Sequence, residues 1–248
     1  MVKSNKITNI KLAISIILYK FFENEEYRDT FLKGILYSNK LSVLRGQENK
    51  VTGVNDSFEN ADTIALSDEN HFVQGSLVQK NNRLYMCNVE FAEKPKDYRE
   101  GQGFVSYNQN DYNVFCLSAI ILDENGKVVK FDKRNRGNFG KYGVIIKYPA
   151  EFILRIENQI DYDKNVKCIW GNFVTYIDFD KRKNIQKWSP FMKFSSFSSQ
   201  QEYRLVFDAD VDNELRYNIG SIEDISQIIN DKDKFYNSIN EGETITGI

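Results

Sequence analysis

The residues best equipped for chemistry stand in one short run, Gln200-Gln201-Glu202-Tyr203-Arg204. Read as the start of a strand, this run commits Tyr203, Leu205 and Phe207 to one face and turns Glu202, Arg204, Val206 and Asp208 to the other. Glu202 and Arg204 then lie roughly 7 Å apart on a shared face. They stand at the strand's entry, where a cleft can open. The alternative is that both charges pair with neighbours across a wet sheet face. The preceding run Lys193-Phe194-Ser195-Ser196-Phe197-Ser198-Ser199 brings hydroxyls and aromatic faces to the same place.

Other chemistries are thinned out by what the chain lacks. It has one histidine, His71, in a loop-like stretch, so no triad has a sequence signal and a multi-histidine metal site is impossible. No GxxxxGK[ST] loop exists, and Gly101-Gln102-Gly103 lacks a third glycine and a following helix. Cys87, Cys116 and Cys168 stand far apart in apolar surroundings and read as buried thiols of a reducing compartment, not as disulfides or zinc ligands. No metal cofactor is expected.

Three further segments remain open. In Asn55-Asp56-Ser57-Phe58-Glu59, either an Asx turn sits over a Phe58 plug, or Asn55, Asp56 and Glu59 reach a cleft to hold a hydroxyl or cation. Residues 134–143 carry three glycines with Arg134, Arg136 and Lys141, suited to a pyrophosphate or simply a basic turn before Tyr142. Lys181-Arg182-Lys183 with Lys187 and Trp188 can hold phosphate and stack a base, or be a solvated loop. The net charge of −2, from 33 basic and 35 acidic residues, gives no global field for a polyanion, so nucleic acid is possible but not favoured.

The elements that must position these groups follow from periodicity. With 41% apolar, 14% aromatic and 27% charged residues, the chain can bury a substantial core. Ile14–Tyr19 suits a buried strand or the end of a short helix. A helix follows, capped by Asn24, acidic at Glu25 and Glu26, and stopped by Gly34. Val114–Leu122 is a continuous apolar run, as in a central strand, closed by a turn at Asn125-Gly126. Strands are expected at 35–38, 83–92, 142–148, 166–170, 173–179 and 202–208. Pro149 opens a helix with a stripe of Phe152, Ile153, Ile156 and Ile160, and Ser221 caps a last one burying Ile222, Ile225, Ile228 and Ile229.

These elements predict an α+β fold, one domain with a mixed, mostly antiparallel sheet and flanking helices. It spans residues 1–232 with a long loop at about 46–75, and 233–248 form a polar, frayed tail. Leu12–Leu18 is too short to cross a bilayer, and a cytoplasmic location with no membrane partner is expected.

Taken together, LYKF (18–21), NDSFE (55–59), FCLS (115–118), FGKYGVII (139–146) and KFSSFSSQQEYRLVF (193–207) resemble, in order, the motifs of a large bacterial and phage family. Its members show LY[HK][YF], FNDPFE, CFS, a WxHYAxxHxG block and an ExE[WY]R strand. That family in turn resembles the ADP-ribosyltransferase superfamily. The resemblance implies NAD as substrate, Glu202 as the catalytic carboxylate and Gln200 as an orienting amide. It also implies Tyr19, Lys20, Arg136, Lys141, Tyr142 and Arg204 as contacts to the dinucleotide. Lys20 stands where many members have histidine, Ser57 where they have proline, and Phe139 and Lys141 where Tyr and His are usual. These departures leave open a non-catalytic, phage- or mobile-element-encoded binding protein that inhibits a host defence protein.

Overall fold

A computed structural model describes residues 15–46, 61–65, 77–80, 83–86, 103–107, 111–137, 139–160, 165–177, 186–187, 189–212 and 214–245; for 61–107 and 186–187 it describes the backbone alone. The chain begins β1 (Ser15–Phe22), α1 (Glu25–Leu32), β2 (Ile35–Lys40) and α2 (Leu41–Gly46). Short strands follow at β3 (Ala61–Ala65), β4 (Leu77–Lys80), β5 (Arg83–Met86) and β6 (Gly103–Tyr107). Next come β7 (Asn113–Leu122), β8 (Val128–Lys130), β9 (Tyr142–Ile146), α3 (Pro149–Ile160), β10 (Val166–Phe173) and β11 (Thr175–Ile177). The chain continues through β12 (Gln186–Lys187), β13 (Met192–Phe194), β14 (Glu202–Ala209), β15 (Glu214–Asn218), β16 (Ser226–Ile229) and α4 (Lys232–Ser238).

Nine strands make the main sheet. Its spine runs β10-β14-β7-β1-β9-β16, and β8 and the β2–β15 pair branch from β7. Every ladder in it is antiparallel, while β11 and β13 pair in parallel and β12-β3-β6-β5-β4 form a second sheet. This is a single α+β domain with a mostly antiparallel sheet. Among the described residues, no helix is long and apolar enough to cross a membrane.

The apolar run of β7 needs two covered faces, and it has them. Phe115, Leu117 and Ala119 join Phe31, Phe152, Ile156, Leu205 and Phe207 under α1 and α3. Ile120 and Leu122 turn the other way, into a cluster with Tyr19, Phe131 and the α4 residues Phe235 and Tyr236. Burying each such side chain contributes about 1.5–3 kcal/mol. Local signals hold where they are strong. The Asn24 carboxamide accepts from Tyr27 N–H at 2.9 Å, and Pro149 opens α3.

Three expectations need correction. The segment after Ser221 is a 3₁₀ turn over Glu223–Ile225 followed by β16, because Ser226 to Ile229 find a ladder against β9, whose alternation buries Ile229 and leaves Ile228 exposed. The tail after residue 232 is not frayed over 232–239. Asp231 caps α4, and Phe235, Tyr236 and Ile239 are buried, which ties the segment down. Within the expected loop at about 46–75, Gly46 ends α2 and residues 61–65 pair with β6 and β12; residues 47–60, with Asn55, Asp56 and Glu59, and 66–75 lie outside the described residues.

Gly34 joins α1 to β2 at φ +82°, and its carbonyl accepts from Ile219 N–H at 2.9 Å. A Cβ here would lie 1.7 Å from the Gly220 carbonyl oxygen. Backbone strain and the clash act together, so Gly34→Ala is expected to cost more than about 2 kcal/mol, read as a lower urea midpoint at unchanged slope.

Candidate functional site

The site begins with a gap in the ladder. β14 pairs with β7 from Asn113 to Ser118, including Val206↔Val114 and Glu202↔Ser118. A strand has two edges, so whatever else pairs with Val114 or Ser118 lies on the other one. Tyr19 of β1 pairs with Ser118, and Asn39 of β2 pairs with Val114. Between them, residues 115–117 face neither strand on that edge, because β1 leaves to follow β9 while β2 pairs with β15. The sheet splits there, and a cavity of about 720 Å³ occupies the split.

Glu202, Arg204, Lys193 and Gln200 line its inner wall. Gln201 sits in the left-handed region (φ 45°, ψ 50°) between a 3₁₀ turn over Ser195–Gln200 and β14. That conformation costs a non-glycine residue about 1–3 kcal/mol and is held by fixed contacts. Asp132 N–H donates to Gln201 Oε1 at 2.6 Å, Gln201 Nε2 donates to Lys130 O at 3.3 Å, and Ala119 N–H donates to Gln201 O at 2.9 Å. The kink brings two acceptors to one ammonium. Lys193 Nζ donates to Gln200 Oε1 at 2.9 Å and Glu202 Oε1 at 2.8 Å.

The second oxygen of Glu202 accepts from Arg204 Nε at 2.8 Å, and Arg204 Nη1 donates to Pro190 O at 2.6 Å. Glu202 is 5% exposed and Arg204 0%. Burial alone would raise the Glu202 pKa. The Lys193 ammonium and Arg204 guanidinium outweigh it and hold the carboxyl at about 2. Glu202 is therefore a fixed anion rather than a proton shuttle. Its remaining lone pairs can accept from a ligand hydroxyl or face a developing cation.

Lys20 reaches the split from β1. Its Nζ donates to Cys116 O, in the unpaired stretch of β7, at 2.6 Å and lies 4.7 Å from the Phe115 ring centre. Burial lowers its pKa, and the Glu202 carboxylate opposes the shift. Burial raises the pKa of the Cys116 thiol, so Cys116 carries no reactive thiolate. Lys20, Lys193, Arg204 and Arg216 outnumber Glu26 and Glu202 among the lining charges, and Phe22, Phe31 and Phe115 supply an aromatic floor. Anionic groups and hydroxyls complement these walls, and the volume is that of small-molecule sites.

Four of the expected site residues meet here: Lys20, Gln200, Glu202 and Arg204. The face that Glu202 and Arg204 share is buried, unlike the wet sheet face of the alternative reading, because the segment carrying Pro190 and Lys193 closes over it. Gln200 ends the 3₁₀ turn and is not on the strand. Tyr19 points away from the cavity into the cluster under α4, where its ring lies 5.2 Å from that of Phe235. Arg136 pairs with Asp233 at 2.6 Å at the surface. Tyr142 lies beneath Arg28 and Lys141, 5.7 and 5.1 Å from its ring centre. None of Tyr19, Arg136, Lys141 and Tyr142 lines the cavity. The 181–185 patch and Trp188 lie outside the described residues.

Lys193 is the functional residue that pattern reading missed, since only the 3₁₀ turn folds it back onto Glu202. Among the described residues, no group of three or more His, Cys, Asp or Glu side chains could hold a metal. No family model, curated protein or solved structure matches the chain.

Proposed function

We propose that the cavity binds NAD or a closely related nucleotide, and that Glu202 promotes cleavage of its N-glycosidic bond as in ADP-ribosyl transfer. In that reaction the bond between ribose C1′ and the nicotinamide nitrogen breaks with both electrons passing to the nitrogen. Nicotinamide leaves neutral, and water or an acceptor side chain attacks C1′ and gives up a proton. The Glu202 carboxylate faces the cationic ribose and accepts from a ribose hydroxyl. Gln200 orients the ribose, and Lys20 and Arg204 balance the pyrophosphate. A cytoplasmic setting belongs to this reading.

The observation that carries it is the meeting of Lys20, Gln200, Glu202 and Arg204 on one cavity at the split of the sheet. Incubation with nicotinamide-labelled NAD and cell lysate tests it. The protein is expected to release nicotinamide, and Glu202→Gln to lower the rate about 100-fold, as losing one electrostatic contact to a transition state does. No release, no labelled acceptor and no binding by calorimetry would refute it.

One observation favours a second reading, a non-catalytic binder such as an inhibitor of a host defence protein. Both oxygens of Glu202 already hold a cation. A pull-down that recovers a stoichiometric host protein, with no nicotinamide release, decides for it; one that recovers no such partner counts against it.

A further inference from the structure

Exposure grades the cavity from floor to mouth. Glu202, Lys193, Gln200 and Arg204 are sealed at its inner end, whereas two lining tyrosines stand open at the lip, Tyr27 at 60% and Tyr37 at 45% exposed. Solvent-facing aromatic rings on a cavity rim have large apolar faces available to a ligand. The deep chemistry uses neither of them.

Tyr37 is held in place from two sides. It lies opposite Arg216 in the β2–β15 ladder, whose guanidinium stands 5.7 Å from its ring centre. Its hydroxyl donates to the Glu214 carboxylate, which also accepts from Arg216 Nε at 3.2 Å. Tyr27 comes from α1, where its N–H is fixed by the Asn24 cap. The β2–β15 wing and α1 thus each bring one aromatic side chain to the same cavity. Asn39 and Asn218 line the same cavity and carry paired donors and acceptors suited to the edge of a heterocycle.

We propose that this mouth is a nucleobase subsite. Tyr27 and Tyr37 stack a purine, and the ribose phosphate attached to it enters toward Lys20. The inference rests on the reading that the cavity takes a nucleotide, but it concerns binding and not bond cleavage.

AMP and ribose 5-phosphate separate the base from the rest of the ligand. Saturation-transfer NMR is expected to show stronger transfer to adenine H2 and H8 than to ribose protons. Calorimetry is expected to show AMP binding at least about tenfold tighter than ribose 5-phosphate, in keeping with one stacked base. Tyr27→Ala and Tyr37→Ala should each remove most of that margin and leave ribose 5-phosphate binding unchanged, while Tyr37→Phe, which keeps the ring, should retain it. Both tyrosines are exposed, and circular dichroism reports whether the variants fold. Equal binding of the two probes, undiminished AMP binding in both alanine variants, or no AMP binding by the parent would each overturn the subsite. If AMP binds as expected but NAD is not cleaved, the subsite stands and the catalytic reading falls; if NAD is cleaved but the tyrosines do not matter, the reverse holds.

Discussion

Arg204→Ala is expected to destabilise the protein by about 3–5 kcal/mol, read from urea unfolding at neutral pH. Arg204 is the largest fully buried side chain among the described residues, and it neutralises a carboxylate that is itself 5% exposed. Removing the guanidinium leaves Glu202 with Lys193 alone and strips Pro190 O of its 2.6 Å donor. The sharper test is replacement of the whole group. Lys193→Met, Glu202→Leu and Arg204→Met together remove the whole buried ion-paired group, so this variant should recover most of the stability that Arg204→Ala loses. It should also lose ligand binding. Recovery of stability without binding would mean that the charges are kept for the ligand. A triple variant less stable than Arg204→Ala would place them in the scaffold.

The second large effect is an acid transition. A carboxyl that titrates near 4.5 in the unfolded chain and at about 2 in the folded one contributes about 3 kcal/mol. The folded value is the depressed one, so this stability is fully present above pH 4.5 and is lost as pH falls from there toward 2. Urea midpoints measured across that range should therefore converge for the parent protein and Glu202→Gln as the acid limit is approached. They should stay apart, at a constant interval, above pH 5. A constant interval down to pH 2 would show that folding does not lower the Glu202 pKa.

What could be read from the chain divides by the range of the forces involved. The alternation in β14 shows that Tyr203, Leu205 and Phe207 oppose Glu202 and Arg204, because side-chain direction in a strand is a local property. The central place of β7 follows from an apolar run that only two covered faces can satisfy. The burial of Glu202 does not follow, since it depends on the segment carrying Lys193 folding over its face and on β10 and β7, both earlier in the chain, arriving on the two edges of β14 from about 30 and more than 80 residues away. The Lys193 partnership depends on one left-handed residue, Gln201, whose conformation is set by backbone and side-chain bonds to the 130–132 loop. A glutamine carries no sequence signal for such a turn, as a glycine would. Likewise, the alternating charges of Asp231-Lys232-Asp233-Lys234 conceal that the next two residues, Phe235 and Tyr236, close the cluster around Tyr19.

The cavity exists because two strands part company along one edge of β7, not because small side chains were chosen to leave room. A hollow made by omission of backbone survives most exchanges of the side chains around it. Substitutions at Tyr27, Tyr37 or Arg216 can therefore change what is held while the stability of the two wings is maintained by ladders elsewhere. In such an architecture, specificity drifts more readily than fold, so the residues at the mouth can be exchanged while the pocket stays in the same place.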